Sequence, residues 1–206
     1  MKRYLLIPFL FLLSACTLGV TSSPKQVVSS FLDKYKNQDE TILSQLDDTI
    51  NAEYTNEDYK SRYKTLMTNQ YKNMEYEIKD EIIEDNNAVV EAQITVYDYA
   101  SAIRNANDYL NSNPKEFMKT SPTLDMNDAN DETTKDTSDD TIINENKVLD
   151  YDQDKFTDYR LSQMENVNDT VTYTIEFNLT KVDGVWKLDS LSSADIEKIH
   201  GIYNQG

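Results

Sequence analysis

Val171-Thr172-Tyr173-Thr174-Ile175-Glu176-Phe177-Asn178-Leu179-Thr180 runs into Lys181-Val182-Asp183-Gly184-Val185-Trp186-Lys187-Leu188, and this stretch decides the fold. Over 171–180 the odd positions are apolar and the even positions polar, the period of a strand buried on one face. Asp183-Gly184 is a tight hairpin turn, and Val185 to Leu188 is the return strand. A second stretch has the same period. Met74, Tyr76, Ile78 and Ile82 alternate with Glu75, Glu77, Lys79 and Glu81. Asp85-Asn86-Asn87 turns the chain, and Val90, Ala92, Ile94 and Val96 alternate with polar neighbours. Two such stretches read as two antiparallel hairpins. Four strands with one apolar face need a cover in water, so the rest of the chain must supply it.

The remainder has helical period. Ser23-Pro24-Lys25-Gln26 reads as a capping box with proline in the first helical position. Val28, Phe31, Leu32 and Tyr35 follow on one face. Asn37-Gln38-Asp39 interrupts, then Ile42, Leu43 and Leu46 mark a short second helix. Thr55 to Asp58 opens a third, with Tyr59, Tyr63, Leu66 and Met67 on one side. After the first hairpin, Tyr99, Ala102, Ile103, Ala106 and Leu110 form a helix that stops at Asn113-Pro114, and Phe117 and Met118 add a short turn. Phe156, Tyr159, Met164 and Val167 support a helix over 151–166. Ile196, Ile199 and Tyr203 support a closing one over 192–203. The fold class is α+β. Between the hairpins, 121–146 is a run of Asp, Glu, Asn, Thr and Ser with almost nothing to bury, so it is expected to be a disordered acidic insertion.

Composition removes most familiar chemistries. The chain has 206 residues, only four glycines, one histidine, one cysteine and a net charge of −17. No glycine-rich phosphate loop or nucleophile elbow can be written with these glycines. One His and one Cys exclude a clustered His/Cys metal site. The excess of acid over base excludes a nucleic-acid partner, because that affinity comes from Lys and Arg on phosphates. No cofactor is implied.

The N-terminus carries an address. Lys2 and Arg3 precede an apolar run from Tyr4 to Leu13. That run is shorter than the roughly 20 residues needed to span a bilayer, and it fits the hydrophobic core of a signal peptide. Leu13-Ser14-Ala15-Cys16 then resembles a bacterial lipobox. On this reading 1–15 is removed and Cys16 is lipidated through its thiol, the nucleophile the transfer needs. Residues 16–23 become a short tether, and 24–204 the folded domain. Cleavage removes Lys2 and Arg3 and takes the net charge to −19. The expected location is the extracytoplasmic face of the cell membrane. The expected partners are the membrane, through Cys16, and an envelope protein or small ligand.

The element order, with the helix around Val27 to Tyr35 first and the Val-Trp-Lys-Leu hairpin last, resembles the cone-shaped family of nuclear transport factor and ketosteroid isomerase. In particular it resembles the small lipoproteins of low-GC Gram-positive bacteria that carry such a domain behind a lipobox. The resemblance covers roughly 24–204. It implies N-terminal helices packed in the concave face of a curved four-stranded antiparallel sheet, and a pocket at the open end that some members use for catalysis and others for binding. Val28, Phe31, Leu32 and Tyr35 are then expected against Tyr173, Ile175, Phe177, Leu179 and a core Trp186. No catalytic signature of the family is matched, so fold is carried over and activity is not.

Several residues could still do chemistry. Asp80 and Asp98 fall on the apolar phase of their strands, where a desolvated carboxylate among tyrosines could transfer protons. The alternatives are a bulge or edge position for Asp80 and a helix N-cap for Asp98. His200 is expected to be structural, at the surface or half-buried. Asp125 to Asp140 and Asp150 to Asp158 are rich in carboxylates but lack the Gly at position six and the bidentate Glu of a calcium loop, so no metal site is expected. The expected function is non-enzymatic binding. The alternative is a small-molecule-binding or carboxylate/tyrosine-based enzyme in the cone pocket.

Overall fold

The computed structural model describes residues 22–119 and 151–204. Cys16, the tether as far as residue 21, and the acidic stretch 121–146 lie outside the described residues. Three helices come first: α1 (Pro24–Lys36), α2 (Glu40–Glu53) and α3 (Glu57–Asn73). Strands β1 (Glu75–Glu84) and β2 (Asn87–Tyr97) follow, then α4 (Tyr99–Ser112) and a short 3-10 turn over Pro114–Phe117. After the acidic stretch come α5 (Gln153–Glu165), β3 (Thr170–Val182), β4 (Val185–Leu188) and α6 (Ser193–His200). The strands form one open, curved antiparallel sheet in the order β1-β2-β3-β4. The centre of the sheet is the β2–β3 pair, in unbroken register from Asn87↔Thr180 to Tyr97↔Thr170. The two hairpins are thus joined by their inner strands, and the acidic stretch leaves and re-enters at a fixed gap. Met118 and Tyr151 pair across that gap, and the Asp152 amide donates to the Phe117 carbonyl at 2.8 Å.

The helices form for the reasons their sequences give. Ser23 caps α1, its Oγ accepting from the Gln26 amide at 3.3 Å while Gln26 Oε1 accepts from the Ser23 amide at 2.9 Å. Asp39, Asn56, Asp152 and Ser192 cap α2, α3, α5 and α6, each side-chain oxygen accepting from one backbone amide of the first turn. α1 then lies on the inner face of the sheet, burying Val28, Phe31, Leu32 and Tyr35. The Phe31 ring meets Phe177 of β3 edge-on at 6.0 Å. Ala92, Ile94, Val96, Ile175 and Leu179 complete that face. The outer face carries Glu75, Glu77, Gln93, Thr174, Glu176 and Asn178, as the alternation requires, and faces water. A smaller apolar cluster, Ala106, Phe117 and Phe156, joins α4 to α5.

The structure corrects the sequence reading at three points. α2 has 14 residues and buries Ile50 as well as Ile42 and Leu46, so it is longer than the apolar pattern suggested. Trp186 is half-buried on the four-residue edge strand β4 and is no core residue. It packs on the rim of the core, with Lys181 Nζ 5.4 Å from its ring centre. β1 does not keep one phase, because a bulge lies between Ile78 and Glu81. Beyond it Glu81 pairs with the inward Val90 and Ile82 with the outward Val89. The reason is the start of α1. Its Lys25 amide, one of the donors left free at a helix N-terminus, donates to Glu81 Oε1 at 3.0 Å, and Lys25 Nζ donates to the Lys79 carbonyl at 3.0 Å. A carboxylate there also matches the positive end of the helix dipole.

One fully buried polar side chain ties the layers together. Gln70 of α3 accepts from the Tyr97 amide at 2.8 Å and donates to the Tyr97 and His200 carbonyls at 3.1 and 3.0 Å. It thereby bonds the end of β2 to the end of α6. The next residue, Gly201, has φ 69° and closes α6. A Cβ there would lie 2.1 Å from Gln70 Nε2 and 2.2 Å from the Tyr97 carbonyl oxygen.

Two stability outcomes are expected from urea melts. Phe31→Ala should cost about 3–5 kcal/mol, as for other buried Phe truncations, and Trp186→Ala clearly less. Equal costs would contradict the rim position of Trp186. Gln70→Met keeps the volume but orphans buried backbone groups, at about 1–3 kcal/mol for each one left unpaired. A Gln70→Met protein as stable as the parent would mean that the Gln70 hydrogen bonds do not hold the layers together.

Candidate functional site

The concave face has no open interior among the described residues. Side chains of α1 and the inner strands fill it, down to Val28, Leu32, Val90, Ala92, Ile94 and Phe177, all with no accessible surface. A small cleft lies between α1, α2, α3 and α6, lined by Tyr35, Ile42, Leu46, Tyr63, Tyr71 and His200, with Gln45 and Thr49 beside them. About 30 Å³ of it admits a water-sized centre, room for about two waters.

Aromatic packing builds the cleft. Tyr35 meets Tyr71 edge-on at 5.1 Å, and the His200 ring lies 5.6 Å from Tyr71 and 6.4 Å from Tyr35. The Tyr71 hydroxyl and His200 Nε2 are 3.1 Å apart. Burial pushes the Tyr71 and Tyr35 phenols well above their ordinary range, so both stay protonated. Burial pushes His200 down, to about 4, so its ring is neutral, and its Nε2 accepts a hydrogen bond from the Tyr71 hydroxyl when the ring proton is on Nδ1. Tyr35 lines the same cleft, and its hydroxyl has no hydrogen-bond partner among the described residues. The site thus offers a neutral imidazole and phenols to a water-sized polar group.

The two carboxylates singled out in the sequence are not in this cleft. Asp98 caps α4, with Oδ1 accepting from the Ser101 amide at 3.0 Å and Oδ2 from the Ser101 hydroxyl at 2.6 Å. Asp80 is exposed in the β1 bulge, on the sheet edge. Structure and sequence thus place both in the roles of cap and bulge. His200 is half-buried, as expected, but on the cleft side. Asp125 to Asp140, Asp150 and the lipidation residue Cys16 lie outside the described residues. Asp152 caps α5, and Asp158 joins Glu165 in holding Arg62 of α3, at 2.5 and 2.7 Å. Among the described residues no group of three or more His, Cys, Asp or Glu could hold a metal ion, and no helix is long and apolar enough to cross a membrane.

Sequence reading missed Gln70 and Arg62. Gln70 had a signal: it continues the apolar face Tyr63, Leu66, Met67 by three or four residues, and a polar residue at that phase needs a buried partner. Arg62 had none, because its partners lie about a hundred residues away in sequence. No family model, curated protein or solved structure matches this chain.

A pH dependence follows from His200. Its folded pKa, about 4, lies below the ordinary value of about 6.5. Between those values the unfolded chain takes up a proton that the folded one refuses, so stability present above about pH 6.5 is lost as pH falls toward 4. At about 1.4 kcal/mol per unit the loss is at most about 3.5 kcal/mol, an upper bound for a half-buried ring. His200→Gln should flatten the difference between urea melts at pH 7 and pH 5 relative to the parent. An unchanged difference would place the titration elsewhere.

Proposed function

We propose that this protein is a cell-envelope lipoprotein, anchored through Cys16 on the extracytoplasmic face of the membrane, whose domain works as a non-enzymatic binding or interaction module. The anchor rests on Leu13-Ser14-Ala15-Cys16 behind a short apolar run, with Cys16 the one cysteine of the chain. The choice of binding over catalysis rests on one observation: Phe31, Leu32, Tyr35 and Phe177 occupy the concave face where a cone-pocket enzyme would admit its substrate. Asp98, the better placed carboxylate, already spends both oxygens on Ser101. The likeness of element order to the nuclear transport factor and ketosteroid isomerase family is part of the same proposal, and it brings no activity with it.

Two or more acyl chains would hold the protein stably, where one chain alone is marginal. A strongly acidic domain on a short tether then meets partners just outside the membrane.

Cys16→Ala should abolish incorporation of labelled palmitate and move the protein from the membrane pellet to the soluble fraction. Labelling that persists in Cys16→Ala would overturn the anchor, because no other thiol is available to take the lipid.

A further inference from the structure

We propose that the tips of the two hairpins make a second, non-covalent contact with the lipid surface, beside the point where the tether joins the domain. This inference rests on the lipid-anchor reading of Cys16.

The tips are where the domain exposes aliphatic surface. Ile82 is 60% exposed, Ile83 51%, Val182 40% and Val185 36%. The only other large apolar residues so exposed among the described residues are Tyr109 and Tyr151, which carry hydroxyls. The four aliphatic residues share one end of the sheet. The turn at Asp85-Asn86 lies beside the β3–β4 turn, and the Lys181 amide donates to the Asn86 carbonyl at 2.7 Å. Val182 pairs with Val185 across one tip, and Ile82 and Ile83 pair with Val89 and Ala88 in the other. Trp186 follows Val185, half-buried under Lys181. An indole beside a lysine whose stem runs along apolar surface suits the boundary between headgroups and acyl chains.

The entry of the chain selects lipid as the occupant. Lys25, two residues into α1, is bonded to Lys79 and Glu81 of β1. Ile82 and Ile83 come next along that strand, about 3–7 Å further at the rise of a β-strand. The seven steps from Cys16 to Ser23 span at most roughly 25 Å. An acylated Cys16 therefore holds the bilayer within reach of the tips and leaves the outer face of the sheet turned to the side. A second copy of the chain fits this patch poorly, because Glu84, Asp85 and Asp183 at the turns would oppose their own copies. The same carboxylates keep the contact shallow. The net negative charge keeps the tips from holding the protein on an anionic membrane by themselves, so the anchor supplies the local concentration that makes the contact effective.

Trp186 is the one tryptophan of the chain and reports on the contact directly. The full chain, processed and lipidated in bacteria, is reconstituted in phosphatidylcholine vesicles with and without bromine on the acyl chains. Brominated vesicles should quench Trp186, and Ile82→Asn combined with Ile83→Asn should remove the quenching without releasing the protein from the vesicles. Trp186→Phe combined with Thr170→Trp moves the reporter to the opposite end of β3, where emission should be insensitive to bromine. A lipidated, vesicle-bound chain with unquenched Trp186, or with equal quenching at position 170, overturns the tip contact and leaves the anchor standing. A wild-type chain that carries no lipid on Cys16 after production in bacteria overturns the anchor and, with it, the tip contact.

Discussion

Gln70 is the constraint on which the arrangement of layers depends. It sits at the one place where α3, the end of β2 and the end of α6 meet, and it satisfies backbone groups of two of them with one amide. Apolar contacts are non-directional and tolerate sliding, whereas an amide bonded to three fixed backbone groups does not. Its placement explains other features. Gly201 must lack a Cβ because Gln70 fills the space beside it. α6 is held at the mouth of the tyrosine cleft because its last carbonyl is Gln70's acceptor. His200 therefore meets Tyr71 from a fixed direction, and the depression of its pKa follows from that position.

The ion pairs around the second cluster have a similar purpose and a smaller effect. Arg62 reaches from α3 to Asp158 and Glu165 on α5, partly exposed, where single pairs contribute little. Its planar fork fixes orientation more than it adds stability. The edge strand β1 is also managed by charge. Glu75, Glu77, Lys79, Asp80, Glu81 and Glu84, together with the bulge, discourage another strand from pairing there.

Much of this was legible in the sequence, for identifiable reasons. The strands of the second hairpin and the capping box at Ser23 are local signals, and local signals survive folding. The placement of α1 against β3 followed because one apolar helix face and one apolar sheet face had to meet. What escaped was non-local. The β1 bulge exists to present Glu81 to an amide 56 residues earlier, and nothing near Asp80 announces it. Trp186 looked like core because tryptophan is large, but a four-residue edge strand leaves one of its sides uncovered. The cleft drew residues from four helices: Tyr35, Ile42, Leu46 and Tyr63 read as packing residues of separate helices and His200 as a structural residue, and nothing local brought them to one place.

The pairing of Met118 with Tyr151, secured by the Asp152 amide on Phe117, closes the chain excursion at its neck. A closed neck separates the length of what lies between from the geometry of what lies outside. Doubling such an excursion costs only about 0.6 kcal/mol of closure entropy. The position between α4 and α5 is therefore a natural docking port for genetic cargo. An epitope, a reporter peptide or a whole small domain whose termini lie close together can be grafted there while the sheet and its helices keep their register.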